Sequence, residues 1–484
     1  MSDESGRKHI DPNRVLAPLR NTSRGFYVLL GIFAVLTLVF LEAWIHQITY
    51  GVSSVTGIGD WGIHGQVPWG LYIGAFVWWI GVAHGGIAIS AAVRVINLDR
   101  YRPIARIAEI LTILALGMAA LNIVLSMGRP DRIFNTITQW PFTVHHSPLA
   151  WDIAVISLYL VLTLTYLTLS LRREIDALRD HLPRVFAPLY VLLTLGYDSD
   201  ENEKVDQILW WLAVAILALV PLLSGGVVPW LFSLIAAQPA WYGAAAGAAM
   251  LTESITSALA LVVIMTALFR YAYGWHDIIE DRIFRDMSIA LAFLALATIW
   301  FTMHDVLTGF YIAPVNIAAL TEGLLGLSFF WLAVAGLVVS VVVLFAMVGI
   351  PERFFSVPAL VGISVLLAIT ILNKKVMFVV EGLMYPTQPP LTNLYPTGTY
   401  SPTLVEWILF LGTVMLVAFG FLIASKIIPM VELHEHELEG LDDPGGGGGT
   451  AESDTMPSET PSDTTDPDAS VQASPATAAD REGS

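Results

Sequence analysis

The stretch at 127–153, MGRPDRIFNTITQWPFTVHHSPLAWDI, is a polar connection between two long apolar runs, 104–127 and 149–171. It gathers Arg129, Asp131, Arg132, His145, His146 and Asp152 in one place. Each flanking run reaches the roughly 20 mostly apolar residues that crossing the hydrocarbon layer of a membrane takes. The connection is therefore predicted to turn the chain at a membrane surface.

The rest of the chain agrees. Of 484 residues, 55% are hydrophobic and only 13% charged, with a mean hydropathy of +0.67. A soluble domain carries about a quarter charged residues. The formal charge of −17 describes the tail more than the body, because 14 of the 41 acids follow Met430 against a single base there, Arg481. That tail, 429–484, is rich in Gly, Pro, Ser, Thr and Asp and is predicted to be disordered and cytoplasmic. There are no cysteines, so the chain offers no thiolates for an iron–sulfur cluster and no disulfide. The charged N-terminal segment, 1–25, lacks the pattern of a cleavable signal peptide.

Apolar runs near 26–48, 66–93, 104–127, 149–171, 208–236, 240–270, 285–311, 323–349, 354–380 and 403–428 predict an all-α polytopic membrane protein with ten transmembrane helices. The fifth is interrupted by SGGVVPW at 224–230, a kink or a break. Cytoplasmic connections retain Lys and Arg. With both termini cytoplasmic, all but four of the 24 basic residues fall on that side, leaving Arg129, Arg132, Lys374 and Lys375 outside. The 127–153 connection then lies on the outer face of a cell membrane.

There, Ser147 suits an N-cap and Pro148 a first helical position, so the fourth helix should begin at SPLAWD with Asp152 about one turn in. His145 and His146 precede that helix start, where the positive dipole end favours negative charge. Imidazole and carboxylate side by side can accept two protons in turn, the requirement of hydroquinone oxidation. The plain alternative is that Asp152 pairs with Arg129 or Arg132 and pins a loop.

Inside the spans, His84, Glu109, Glu253, His304 and Asp305 lie at graded depths, with Glu322 and Glu381 nearer the outer ends. Glu109 could pair with Arg106. Intramembrane ionisable groups are functional candidates by default, and this set resembles the lining of a proton route. Histidines at unmatched depths argue against a b-type haem, and no metal-ligand set is expected. Trp61, Trp69, Trp140 and Trp241 are predicted interfacial anchors.

GRPDRIFN followed by HSPLAWD resembles the motifs of the NrfD/PsrC family of quinone-interacting membrane subunits. FVWWIGVAHGGIAISA, ARIAEILTILA and YSPTLVEWILFLG resemble helices of its ten-helix branch, the ActC subunit of alternative complex III. The resemblance covers about 26–428. It implies two four-helix bundles, helices 2–5 and 6–9, flanked by helices 1 and 10, and a quinol site at the outer face with menaquinone as the expected quinone. It places His145 or His146, Asp152 and Arg129 at the quinone, and His84, Glu109, Glu253, His304 and Asp305 along a proton path. The implied partner is an extracytoplasmic, ferredoxin-like iron–sulfur subunit, with molybdopterin-type and cytochrome subunits as further candidates and no nucleic acid. Rival readings are the membrane anchor of a polysulfide, sulfoxide or nitrate reductase, a secondary transporter, and a scaffold that binds no quinone.

Overall fold

The structure, a computed structural model, describes residues 12–59, 67–143, 148–198, 202–233, 241, 243, 245–311, 315–351, 354–384 and 398–433. Ten helices among these residues are long and apolar enough to cross a membrane. They are α1 (Arg24–Tyr50), α2 (Leu71–Val95), α3 (Arg102–Ser126), α4 (Pro148–Ala177), α5 (Asn202–Leu222), α6 (Ala246–Tyr273), α7 (Asp281–Tyr311), α8 (Ser328–Gly349), α9 (Val357–Met384) and α10 (Leu404–Ala424). Each falls within several residues of an expected run, and α4 starts at Pro148 as its sequence predicts. The interruption in the fifth span is one π-helical turn, Leu223–Val227, after which the helix continues as Val228–Ser233.

Neighbour relations define two rings of four. α2, α3, α4 and α5 close one ring and α6, α7, α8 and α9 the other, joined where α2 packs on α6 and α9. α1 and α10 pair with each other, and α10 lies along α3. α2 is apolar on nearly every side and is the most buried span, as expected of a helix surrounded by others. Its contact with α6 depends on small residues. A Cβ at Gly85 would stand 2.6 Å from the Ala258 Cβ and 2.7 Å from the Ser254 carbonyl oxygen. Only glycine lets the two backbones approach this closely. α1 instead exposes Val28, Val35, Leu38 and Ile45, a face suited to lipid.

The segments around the helices are packed too. Pro12–Arg20 is a short helix that buries Val15, Leu16 and Leu19. After α10, Met430, Val431 and Leu433 are buried, so the packed chain runs beyond 428. α10 begins with a capping box, Thr403 with Glu406. The fully buried Glu406 carboxylate also accepts from the Gly57 backbone N–H at 2.7 Å and the Tyr400 hydroxyl at 2.7 Å, tying the loop before α2 to the start of α10.

Candidate functional site: buried ion-pair triads and two cavities

The arginine-rich end of the first ring opens into a polar cavity of about 350 Å³, lined by Arg94, Arg102, Arg173, Glu174, Asp206 and Glu432 among others. Arg94 joins Glu432 at 3.1 Å and donates to the Tyr166 hydroxyl at 2.9 Å. Nearby, Arg106 is shared by two glutamates: its Nη2 lies 2.9 Å from Glu174 and its Nε 3.4 Å from Glu109. All three side chains are at most 3% exposed. Glu109 also accepts from the Ser90 hydroxyl at 2.6 Å. The i,i+3 spacing on α3 brings Arg106 and Glu109 together as expected, whereas Glu174 was hidden in RREID, where two flanking arginines read as a surface turn.

Ser90 and His84 are six residues apart on α2, roughly 9 Å along its axis. His84 is fully buried, with Nδ1 2.6 Å from the Ser224 hydroxyl and its ring 4.4 Å from that of Tyr159. The π-turn explains this contact, because Ser224 belongs to it. Nε2 of His84 has no partner among the described residues. His84 borders a narrow cleft lined also by Ser254 and Lys375, where the two rings meet.

Across that cleft stands the second cluster. Glu253 on α6 lies 2.7 Å from Lys374 and 2.5 Å from Lys375. Lys374 further donates to Thr302 on α7 at 2.5 Å. Lys374 and Lys375, counted with the outer side in the sequence, lie within α9, and Lys375 is 2% exposed. The desolvation of Glu253 is the reason: a carboxylate buried in a membrane span is stable only with a partner. Two lysines inside the apolar run ILNKKVMFVVEG were the signal that sequence reading passed over.

This cluster borders a cavity of about 490 Å³ enclosed by α6–α9, whose lining includes Trp241, Phe330, Phe378, Asp305 and Glu381. Asp305 reaches it, whereas His304 does not line it. Trp241 is not an interfacial anchor. It is 1% exposed, stacks on Trp69 at 5.7 Å and donates to the Phe378 carbonyl at 2.8 Å, forming a fixed wall.

Among the described residues, the connection between α3 and α4 lines neither cavity. Arg129 forms a two-pronged pair with Asp131, at 2.9 and 2.8 Å, on the exposed surface. Asp131 is thereby held below the usual carboxylate range by the hydrogen bond from Arg129. Asp152 is half-buried, and no partner is found for it among the described residues. Arg129 and Asp152 are thus not brought together as a pair. Trp140 lies over the start of α4, its Nε1 donating to the Ala150 carbonyl at 3.2 Å. His145, His146 and Trp61 lie outside the described residues.

Two rings of four apolar helices, with ionisable groups in their interiors, define a multi-pass integral membrane protein. The chain belongs to the family described as Polysulphide reductase, NrfD, whose model matches residues 61–387. It is similar to the C component of the selenate reductase of Mesobacillus selenatarsenatis, 23% identical over 78% of this chain and 89% of the relative. It is also similar to the Hdr-like menaquinol oxidoreductase integral membrane subunit of Archaeoglobus fulgidus, 20% identical over 76% and 87%. A relative in Halobacterium salinarum, named for a dimethyl sulfoxide reductase membrane subunit, is 27% identical over 52% of this chain, and the match spans about half of that relative, 53%. The chain is accordingly a multi-pass membrane protein of this family.

Proposed function

We propose that the chain binds a lipid-soluble quinol, most simply menaquinol, and couples its oxidation or the reverse reduction to proton movement through the two rings. The observation that carries this reading is the row of buried ionisable groups running from Glu174, Arg106 and Glu109 past His84 to Lys375, Glu253 and Lys374. Burying such groups costs several kcal/mol each unless they are paired. Several atoms in the row, including Arg106 Nη1, Glu174 Oε2 and His84 Nε2, have no partner among the described residues. Ordered water between them would complete a proton path.

In this reading the quinol ring meets Asp152 at the start of α4, with His145 or His146 as the second proton acceptor. When quinol is bound it supplies two electrons and two protons. This chain holds the ring, accepts the protons at the Asp152 carboxylate and an imidazole, and leaves the electrons to a partner subunit. An extracytoplasmic iron–sulfur subunit is the partner proposed, because the chain has no cysteine with which to ligate a cluster. The names of the selenate and dimethyl sulfoxide reductase relatives favour a second reading, in which electrons flow to a reductase subunit.

The test is quinol oxidation by the purified complex, comparing the wild-type chain with Asp152→Asn, alongside identification of the subunits that copurify. Slow oxidation in a folded variant supports the reading. Unchanged oxidation removes Asp152 from the site, and the absence of any quinol-dependent electron transfer in an intact complex overturns the function.

A further inference from the structure

We propose that the cavity within α6–α9 is a second quinol-binding site, distinct from the one at the start of α4, in which Asp305 and Glu381 accept hydrogen bonds from the two ring hydroxyls. The inference rests on the reading above that this chain handles quinol.

The size and lining point to an amphiphile. A volume of about 490 Å³ lies within the range of small-molecule sites, roughly 300–1,000 Å³. Such sites combine apolar and aromatic walls with a few convergent polar groups, and here Trp241, Phe330, Phe378 and Leu320 supply the wall. The wall is already built, because Trp241 is held by its stack on Trp69 and its bond to Phe378.

The polar groups select a hydrogen-bond donor. Both lysines at the cavity are engaged by Glu253, and Lys374 also by Thr302. An anionic ligand would have to displace those partners. Asp305 and Glu381 line the same cavity, and neither carboxylate has a hydrogen-bond partner among the described residues. An acceptor within a membrane span that is left without a donor is unfavourable, so the ligand that fits supplies donors. A neutral aromatic diol meets both demands, ring against the wall and hydroxyls on the carboxylates. An alkylammonium would satisfy the carboxylates but leave the aromatic wall without a flat partner. The ligand would also lie beside Lys374, which lines the cavity together with its ion-pair partner Glu253.

The experiment is photoaffinity labelling of the purified full chain, with its copurifying subunits, by a quinol carrying a diazirine on its side chain, followed by peptide mapping. Saturable label on α7, α8 or α9, competed by unlabelled quinol, is the expected result. Asp305→Asn with Glu381→Gln should weaken that labelling about tenfold, the loss expected on replacing charge-assisted hydrogen bonds. Should that double variant fail to fold, Val334→Trp, which fills the cavity from α8, should remove the same label. Label confined to α4 peptides overturns the second site and leaves the quinol reading standing. No saturable label anywhere overturns both, and label on α7–α9 that neither competitor nor variants reduce marks bulk lipid access and overturns the site. Displacement by a long-chain alkylammonium but not by quinol would overturn it as well.

Discussion

The two rings solve the burial of charge in opposite ways. In the first, one cation, Arg106, is shared by two carboxylates, Glu109 and Glu174. In the second, one carboxylate, Glu253, is shared by two cations, Lys374 and Lys375. Counted in their ionised forms, the first triad carries one uncompensated negative charge and the second one uncompensated positive charge. A proton gained by the first or given up by the second makes each neutral. The surroundings differ accordingly. The first triad adjoins a polar cavity through Glu174, whereas the second borders a mostly apolar one that Asp305 and Glu381 also line. Charge of a single sign is what a low-dielectric interior tolerates least, so each triad is a place where a proton has the most effect on stability.

The largest effect is expected from Glu253→Gln, which strands the buried Lys375 and the half-buried Lys374. Removing one partner of a buried pair costs about 3–5 kcal/mol. The thermal transition in detergent should fall steeply. Adding Lys375→Met should recover most of the loss. Arg106→Met is its mirror image: it strands Glu109 and Glu174 and should cost a similar amount. An unchanged melting temperature in either variant would break the comparison, since it would mean that the triad concerned is not charged as its geometry implies.

On the proposed reading of the site, Asp152→Asn should act on turnover instead of stability. A positioned proton acceptor contributes about 10²–10⁴-fold, so kcat/KM for quinol should fall by at least the lower figure while melting stays close to wild type. An equal loss from Glu253→Gln/Lys375→Met, measured on folded protein, would join the second triad to the same reaction. An intact rate there would leave the triad as architecture.

How much of this was open to reading from the sequence follows from what each feature depends on. Apolar run length sets the helices, so all ten were legible. His84, Glu109, Glu253 and Asp305 stood out because each is an ionisable residue in an apolar run. Most of their partners did not. Glu174 was masked by Arg172 and Arg173, and Lys374 and Lys375 by the expectation that basic residues mark a membrane surface. Ser224 reaches His84 only because of a π-turn whose register no periodicity announces. The larger cavity is a property of four helices at once, and Trp241 at its wall reads in sequence like any interfacial tryptophan.

Ser224→Ala sharpens the comparison at the border of the rings. It removes the one hydrogen bond that holds His84 Nδ1 among the described residues, a loss of about 1 kcal/mol. Restoring the bond with Ser224→Thr should recover the melting temperature. If the alanine variant melts as wild type, the imidazole is held by packing against Tyr159, and the link between the rings is steric.

The smallest effect belongs to Arg129→Ala. The Arg129–Asp131 pair is joined by two parallel hydrogen bonds, yet its side chains are 65% and 60% exposed. Solvent screening removes most of the attraction that the buried triads retain. The sign can still be read. The folded protein holds the Asp131 carboxyl below its ordinary value through the hydrogen bond from Arg129, so any stability from the pair is present above the ordinary carboxylate pKa, about 3.9. It is lost as pH falls through the lowered value. At neutral pH the variant should therefore melt within error of wild type, and any difference should vanish under strong acid. Quinol oxidation decides the rest. An unchanged rate keeps Arg129 a surface residue that orders its own loop, whereas a rate reduced as far as in Asp152→Asn would return it to the quinol pocket and show that it exchanges Asp131 for the bound ring.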